Sequence, residues 1–133
     1  MNNIPPRAWL HEEKTMVEVS RYDYEYGHIQ WATSKQSPDY TVYLSDCTIL
    51  WATGLKDKNG VMIYEGDILP ITHGGLTKNL VVLYDRGCFW LCTNTDPASW
   101  IWSLGEPLYR NDLAVGEVIG NRYENPDLLE VQE

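Results

Sequence analysis

Residues 53–68 read Thr53-Gly54-Leu55-Lys56-Asp57-Lys58-Asn59-Gly60-Val61-Met62-Ile63-Tyr64-Glu65-Gly66-Asp67-Ile68, and they place two β-prone runs and two turn signals side by side. The Asn59-Gly60 pair supplies the positive φ angles of a tight reversal, so the chain is expected to turn back into Met62-Ile63-Tyr64. Glu65-Gly66-Asp67 then redirects it into Ile68-Leu69. Just upstream, Thr48-Ile49-Leu50-Trp51-Ala52-Thr53 is a β-prone run expected to end at Gly54. Such a stretch predicts a β-rich core, not a catalytic centre.

Downstream, Pro70 and Gly74-Gly75 bracket an expected loop. Leu80-Val81-Val82-Leu83-Tyr84 and Cys88-Phe89-Trp90-Leu91-Cys92 form a hairpin around the turn Asp85-Arg86-Gly87. Period two puts Val81 and Leu83 on one face of the first strand, and Phe89 and Leu91 on one face of the second. Trp100-Ile101-Trp102-Ser103-Leu104 alternates, and the run from Val115 to Tyr123 is expected to close the sheet. Asn125-Pro126 opens a short helical turn over Asp127-Leu128-Leu129, because proline is tolerated in a first helical turn. Upstream, Arg7-Ala8-Trp9-Leu10 and Met16-Val17-Glu18-Val19 read as a hairpin. Between residues 20 and 45 the pattern is poorer, with strands expected over Ile29 to Thr33 and Tyr40 to Leu44 and a loop over Ser34 to Asp39.

At 133 residues the chain is long enough to bury a core without disulfides or metals, and no linker or repeat divides it. Six Trp and nine Tyr against one Phe favour half-buried sheet surfaces over a helical bundle. A formal net charge of −9, with no basic cluster, argues against long-range attraction to a phosphate backbone. Cys47, Cys88 and Cys92 are odd in number and lack CxxC spacing, which reads as free thiols in a reducing, cytoplasmic setting. The first residues hold no apolar core of signal-peptide length, and no apolar run is long enough for a membrane span.

Three segments in order resemble the YopX family of phage and prophage proteins: Arg7-Ala8-Trp9, the stretch from Thr53 to Ile68, and Glu117-Val118-Ile119-Gly120-Asn121 running into Tyr123-Glu124-Asn125-Pro126-Asp127-Leu128-Leu129. The family's opening is commonly Phe-Arg-Ala-Trp-Asp, and here Pro6 and Leu10 replace the flanking Phe and Asp. The resemblance implies a mainly β protein whose carboxy-terminal part is similar to an SH3-type barrel. It implies no activity. The short strands after Thr48, with turn signals every eight to twelve residues, suit a small barrel independently. The expected architecture is one YopX-like domain over residues 1–133: an N-terminal β extension over 1–50, an SH3-like barrel over 51–133 and a short C-terminal helical turn.

Catalytic chemistry finds little support in the residues. His11, His28 and His73 are far apart in sequence and lack the spacing that points two imidazoles at one ion. Glu65 with Asp67, or Glu117 with Glu124, would be the carboxylate pairs for acid–base or magnesium chemistry. The simpler reading has Asp67 accepting turn amides and Glu65 facing water. Cys88 and Cys92, on one face of a regular strand, stand about 13 Å apart and share neither a metal nor a disulfide. No catalytic, metal or cofactor site is therefore expected, and the protein is expected not to be an enzyme.

Binding is the better-supported class. Trp51, Trp90, Trp100 and Trp102 are candidate interaction residues, and Trp100 and Trp102 would form an exposed aromatic patch if they share a strand face with Leu104. The bland alternative is a Trp-rich core. The function expected is that of a phage- or prophage-encoded accessory protein acting non-enzymatically through protein–protein contact. Its partner would be a host or phage protein or a second copy in a homo-oligomer, without a membrane. The alternative is a nucleic-acid-directed role, by binding through the barrel or by DNA mimicry with the acidic surface. Nucleic-acid binding is disfavoured because Lys56, Lys58, Lys78, Arg86 and Arg110 are scattered among acids.

Overall fold

Extended backbone dominates the chain, as its Tyr, Val, Ile and Trp content favours. The computed structural model describes residues 4–23, 25–31 and 40–129, and the chain divides into two units, Met1–Ala52 and Thr53–Glu133. The loop expected over Ser34 to Asp39, and the end of the strand expected over Ile29 to Thr33, lie outside the described residues.

Unit one contains β1 (Arg7–Leu10), β2 (Thr15–Glu18), β3 (Arg21–Asp23), β4 (His28–Trp31), β5 (Tyr40–Tyr43) and β6 (Cys47–Leu50). They form two antiparallel sheets, ordered β2-β1-β6 and β3-β4-β5. The Arg7-Ala8-Trp9 motif supplies the middle strand of the first. Ala8 stands opposite Val17 on one side and Ile49 on the other and is fully buried, where a small side chain lets its branched neighbours pack closely. Ala8, Leu10, Val19, Ile29 and Cys47 make one core. Backbone bonds from the Val19 N–H to the Pro6 carbonyl (3.0 Å) and from the Ser20 N–H to the Gln30 carbonyl (2.8 Å) extend the β1–β2 and β3–β4 pairings, so the chain leaves one sheet and enters the other at consecutive residues.

Unit two is built from β7 (Ala52–Lys56), which starts at the boundary, β8 (Met62–Tyr64), β9 (Asp67–His73), β10 (Leu76–Asp85), β11 (Cys88–Cys92), β12 (Trp100–Ser103), β13 (Leu113–Val115) and β14 (Gly120–Asn121). β7 and β8 pair as a hairpin. The run expected to end at Gly54 instead breaks at Trp51 and resumes through Gly54 to Lys56. Thr53 bridges the glycine: its hydroxyl accepts from the Leu55 N–H (3.1 Å) and donates to the Ile63 carbonyl (2.8 Å).

The main sheet runs β12-β11-β10-β9-β13, with β14 also on β9. Two-residue turns set its register. Arg86 and Gly87 have φ of 49° and 78°, and Gly74 and Gly75 have φ of 60° and 80°, the doubly left-handed geometry whose twist matches that of the flanking strands. Gly74-Gly75 is therefore a hairpin turn, and Pro70, expected in a loop, lies inside β9.

Proline has no N–H to give a ladder, and the pairing is interrupted where Pro70 stands. β13 pairs with Ile71, Thr72 and His73, and β14 with Asp67 and Ile68. Between them residues 116–119 leave the ladder, with the Gly116 N–H donating to the Pro70 carbonyl (2.9 Å). The run expected to close the sheet thus caps β9. Among the described residues β12 pairs with β11 and β13 with β9, and no pairing joins these two ends.

Each face of the sheet has its own core. Leu69, Ile71, Leu80, Val82 and Leu91 lie on the first face, with Ile63 and Leu104 in the same cluster. Ile68, Val81, Leu83 and Cys92 lie on the second, where Trp90, Leu128 and Leu129 pack against them. The expected C-terminal helical turn is present as a 3-10 turn over Pro126–Leu129. The Asn79 side-chain amide fastens it by donating to the Leu128 carbonyl (3.2 Å).

Candidate functional site

The three candidate tryptophans of unit two do not share one face. Trp51 belongs to unit one, where its ring meets Tyr22 at 5.8 Å. In unit two, β11 and β12 pair Cys92 with Trp100, Leu91 with Trp102 and Trp90 with Ser103, so Ile101 is an extra residue in a β-bulge. The bulge flips the alternation. Trp100 therefore lies on the second face with Trp90, and Trp102 on the first face against the Leu91 cluster. The condition that Trp100 and Trp102 share a strand face is not met for this reason.

On the second face the Trp90 and Trp100 rings lie 4.9 Å apart, tilted by 49°. The Arg86 guanidinium sits 5.9 Å from the Trp90 ring centre, within the range of a cation–π contact. Trp90 is fixed by its indole N–H, which donates to the Asp85 carbonyl (2.9 Å). Arg86 is held by the Asp85 carboxylate (2.8 Å). Trp100 is delivered by the 3-10 turn Pro97–Ser99, capped by Asp96, whose carboxylate accepts the Ala98 N–H (2.9 Å). Trp100 remains 47% exposed, so part of this aromatic surface faces solvent.

On the first face Trp102 meets His73 edge-on, with ring centres 5.4 Å apart. Their strands are three intervals apart in the sheet order, about 14 Å in a flat sheet, so the sheet curls around its first-face core. His73 Nε2 lies 3.1 Å from a carboxylate oxygen of Asp112, and Arg110 donates to both oxygens of that carboxylate at 2.9 and 2.6 Å. The Arg110 fork is the main reason that the Asp112 carboxyl falls to about 2, and the bond to His73 adds to it.

The two family-like segments of unit two, 53–68 and 117–129, meet through a buried carboxylate. Asp57, only 8% exposed, accepts the N–H groups of Asn59 (2.8 Å) and Val61 (2.9 Å) on one oxygen and that of Val118 (2.8 Å) on the other. Burial pushes this carboxyl up. The donors Val118, Val61 and Asn59, with Lys58 nearby, outweigh that, so it ionises below its ordinary range. Beside it the Asn59 amide donates to the Glu117 carboxylate (2.8 Å), and the Arg122 N–H reaches the Gly66 carbonyl (2.9 Å). Asn121, 9% exposed, receives the N–H groups of Tyr123 and Glu124 and donates to the Glu124 carboxylate.

These partners engage three of the four acids that were candidates for chemistry. Asp67 accepts the Tyr64 N–H (2.8 Å), Glu117 is bonded to Asn59, and Glu124 to Asn121. Among the described residues no group of three or more His, Cys, Asp or Glu is placed to hold a metal ion. His11 bonds the Thr48 hydroxyl (2.7 Å) and His28 stacks on Tyr26. All three thiols are free, with Cys47 and Cys92 buried and Cys88 half-buried. No helix among the described residues is long and apolar enough to cross a membrane.

Asp57, Asn121 and the His73–Asp112–Arg110 chain were not singled out from sequence. Asp two residues before Asn59 is a local turn signal that would have found the first half of the Asp57 site. Nothing local announces Val118, 61 positions away, or joins His73 to Asp112.

A family model described as YopX protein matches residues 7–130. Among solved structures, protein EF1440 from Enterococcus faecalis is 30% identical with a TM-score of 0.60, the match covering 95% of this chain and 97% of that one. Protein yopX from Bacillus subtilis is 22% identical with a TM-score of 0.66, covering 97% of this chain and 100% of that one. No curated protein matches the chain.

Proposed function

This chain belongs to the YopX family, and from that premise we propose that it is a non-enzymatic accessory protein of a phage or integrated prophage that works by protein–protein contact. The observation that carries this reading is the partly exposed Trp100, paired with Trp90 beneath the Arg86 guanidinium. Trp and Arg are the residues most enriched where binding energy concentrates, and a preordered aromatic pair loses little side-chain entropy on docking. The partner is a host or phage protein or a second copy of the chain. The setting is the reducing cytoplasm of a bacterium, which suits three free cysteines. The finer reading of unit two is an SH3-like barrel, supported by the curl that brings Trp102 to His73.

The test is capture of partners from phage-producing host cells with the tagged protein and with Trp100→Ala and Arg86→Ala, alongside light scattering of each. The reading expects either a captured protein or a dimeric mass, reduced by both substitutions. A monomer that captures nothing, or capture indifferent to Trp100 and Arg86, would end it.

A further inference from the structure

The first face of the unit-two sheet carries a cleft that the contact reading leaves unused. It encloses about 370 Å³, within the roughly 300–1,000 Å³ of small-molecule sites. Ile71 and Leu80 are its buried floor, and Ile101 and Trp102 from β12 form one wall. The β9–β10 register sets Lys78 opposite Ile71 and Leu76 opposite His73. Paired residues share a face, so Lys78 and His73 stand on the rim of the same apolar recess.

The charge of this rim runs against that of the chain. The sequence has 19 acids and 10 Lys and Arg, yet among the described residues the cleft is lined by Lys78 and His73 and by no carboxylate. Asp112 touches the imidazole but is itself clamped by Arg110. An ionised carboxylate only accepts hydrogen bonds, so His73 Nε2 carries the proton in this contact. In the neutral ring Nδ1 is then the nitrogen left to accept a bond from a ligand.

We propose that this cleft binds a small organic acid: an apolar, preferably aromatic body against Trp102 and Ile71, a carboxylate at Lys78, and an N–H or O–H donor for His73 Nδ1. The site is separate from the Trp90–Trp100 face.

Indole-3-propionate, its neutral amide and 3-phenylpropionate, which lacks the donor, are suitable probes. Each would be titrated into the full chain, with the methyl and indole NMR signals followed. The expected result is saturable shifts confined to Ile71, Leu76, Leu80, Ile101 and Trp102. The amide, and the acid with Lys78→Gln, should each bind about fivefold more weakly, the upper end for an exposed charge pair. 3-Phenylpropionate should rank below the indole acid, and His73→Phe should erase that ranking. No saturable shift by about 10 mM probe, shifts centred elsewhere, or equal binding of acid and amide would overturn the proposal. So would an undiminished affinity in Lys78→Gln, whose exposed side chain makes loss of folding an unsuitable excuse and whose remaining spectrum reports folding directly.

Discussion

Replacing Asp57 by alanine removes the acceptor for three backbone N–H groups at once, those of Asn59, Val61 and Val118. Water reaches the two turn donors once the carboxylate is gone, so each is worth about 1 kcal/mol, while the half-buried Val118 donor to a charged acceptor is worth about 1.5 kcal/mol or more. The expected cost of Asp57→Ala is thus about 3–4 kcal/mol, a large share of an ordinary domain's stability. Asp57→Asn should cost less, about 2 kcal/mol: its carbonyl oxygen still serves the two turn amides, but its NH2 faces the Val118 N–H.

Urea unfolding at neutral pH would measure both, followed through amide signals of β9 and β10 so that unit two alone is read. The folded Asp57 carboxyl ionises below its ordinary value of 3.8. A folded pKa below the unfolded one gives stabilisation that is complete above the unfolded pKa and lost as pH falls through the folded pKa. The gap between parent and Asp57→Asn should therefore be widest near neutrality and shrink below about pH 4. An alanine variant within about 1 kcal/mol of the parent would refute the reasoning. An asparagine variant as costly as alanine would refute the assignment of two donors to one oxygen.

A Cβ added at Gly116 would sit 2.5 Å from Pro70 Cγ and 3.1 Å from its carbonyl oxygen, so Gly116→Ala should cost about 1–3 kcal/mol, read by thermal unfolding. Unchanged stability would mean that residues 116–119 can move off β9 freely. Arg110→Ala should return the Asp112 carboxyl from about 2 towards its ordinary range, seen in a side-chain carbon NMR titration; an unmoved midpoint would refute the clamp. Cys88 should react first with a thiol reagent. Cys47 and Cys92, 6% and 0% exposed and pushed up chiefly by burial, should react on unfolding, and early labelling of Cys92 would contradict the second-face core.

What was legible in the sequence was whatever a few neighbouring residues decide. The β10–β11 hairpin is written in alternation plus a turn, and the β1–β2 hairpin likewise. The C-terminal turn follows from Asn125-Pro126. What escaped was set by partners far along the chain. Gly54 looked like a strand end because its continuation depends on Thr53 reaching Ile63. Pro70 looked like a loop residue because its tolerance depends on the ladder breaking opposite it, at Gly116. Trp100 and Trp102 looked like one face because a bulge at Ile101 leaves no mark on an alternating pattern. The aromatic candidates were thus identified as residues, and their division between two faces was not; the His73 and Asp57 sites needed the fold to assemble them.

The long reach from Asp57 to Val118 also bears on biosynthesis. A nascent chain presents the Asp57 turn and then β9 and β10, but the strands that cap the far edge of β9 are made only after β11 and β12. Until Val118 emerges, Asp57 lacks its third donor and β9 keeps an open row of backbone groups, the kind of edge that recruits other chains. Unit two therefore completes its main sheet only once residues 113–121 have emerged, and truncation before residue 116 should yield an aggregating product rather than a smaller folded one.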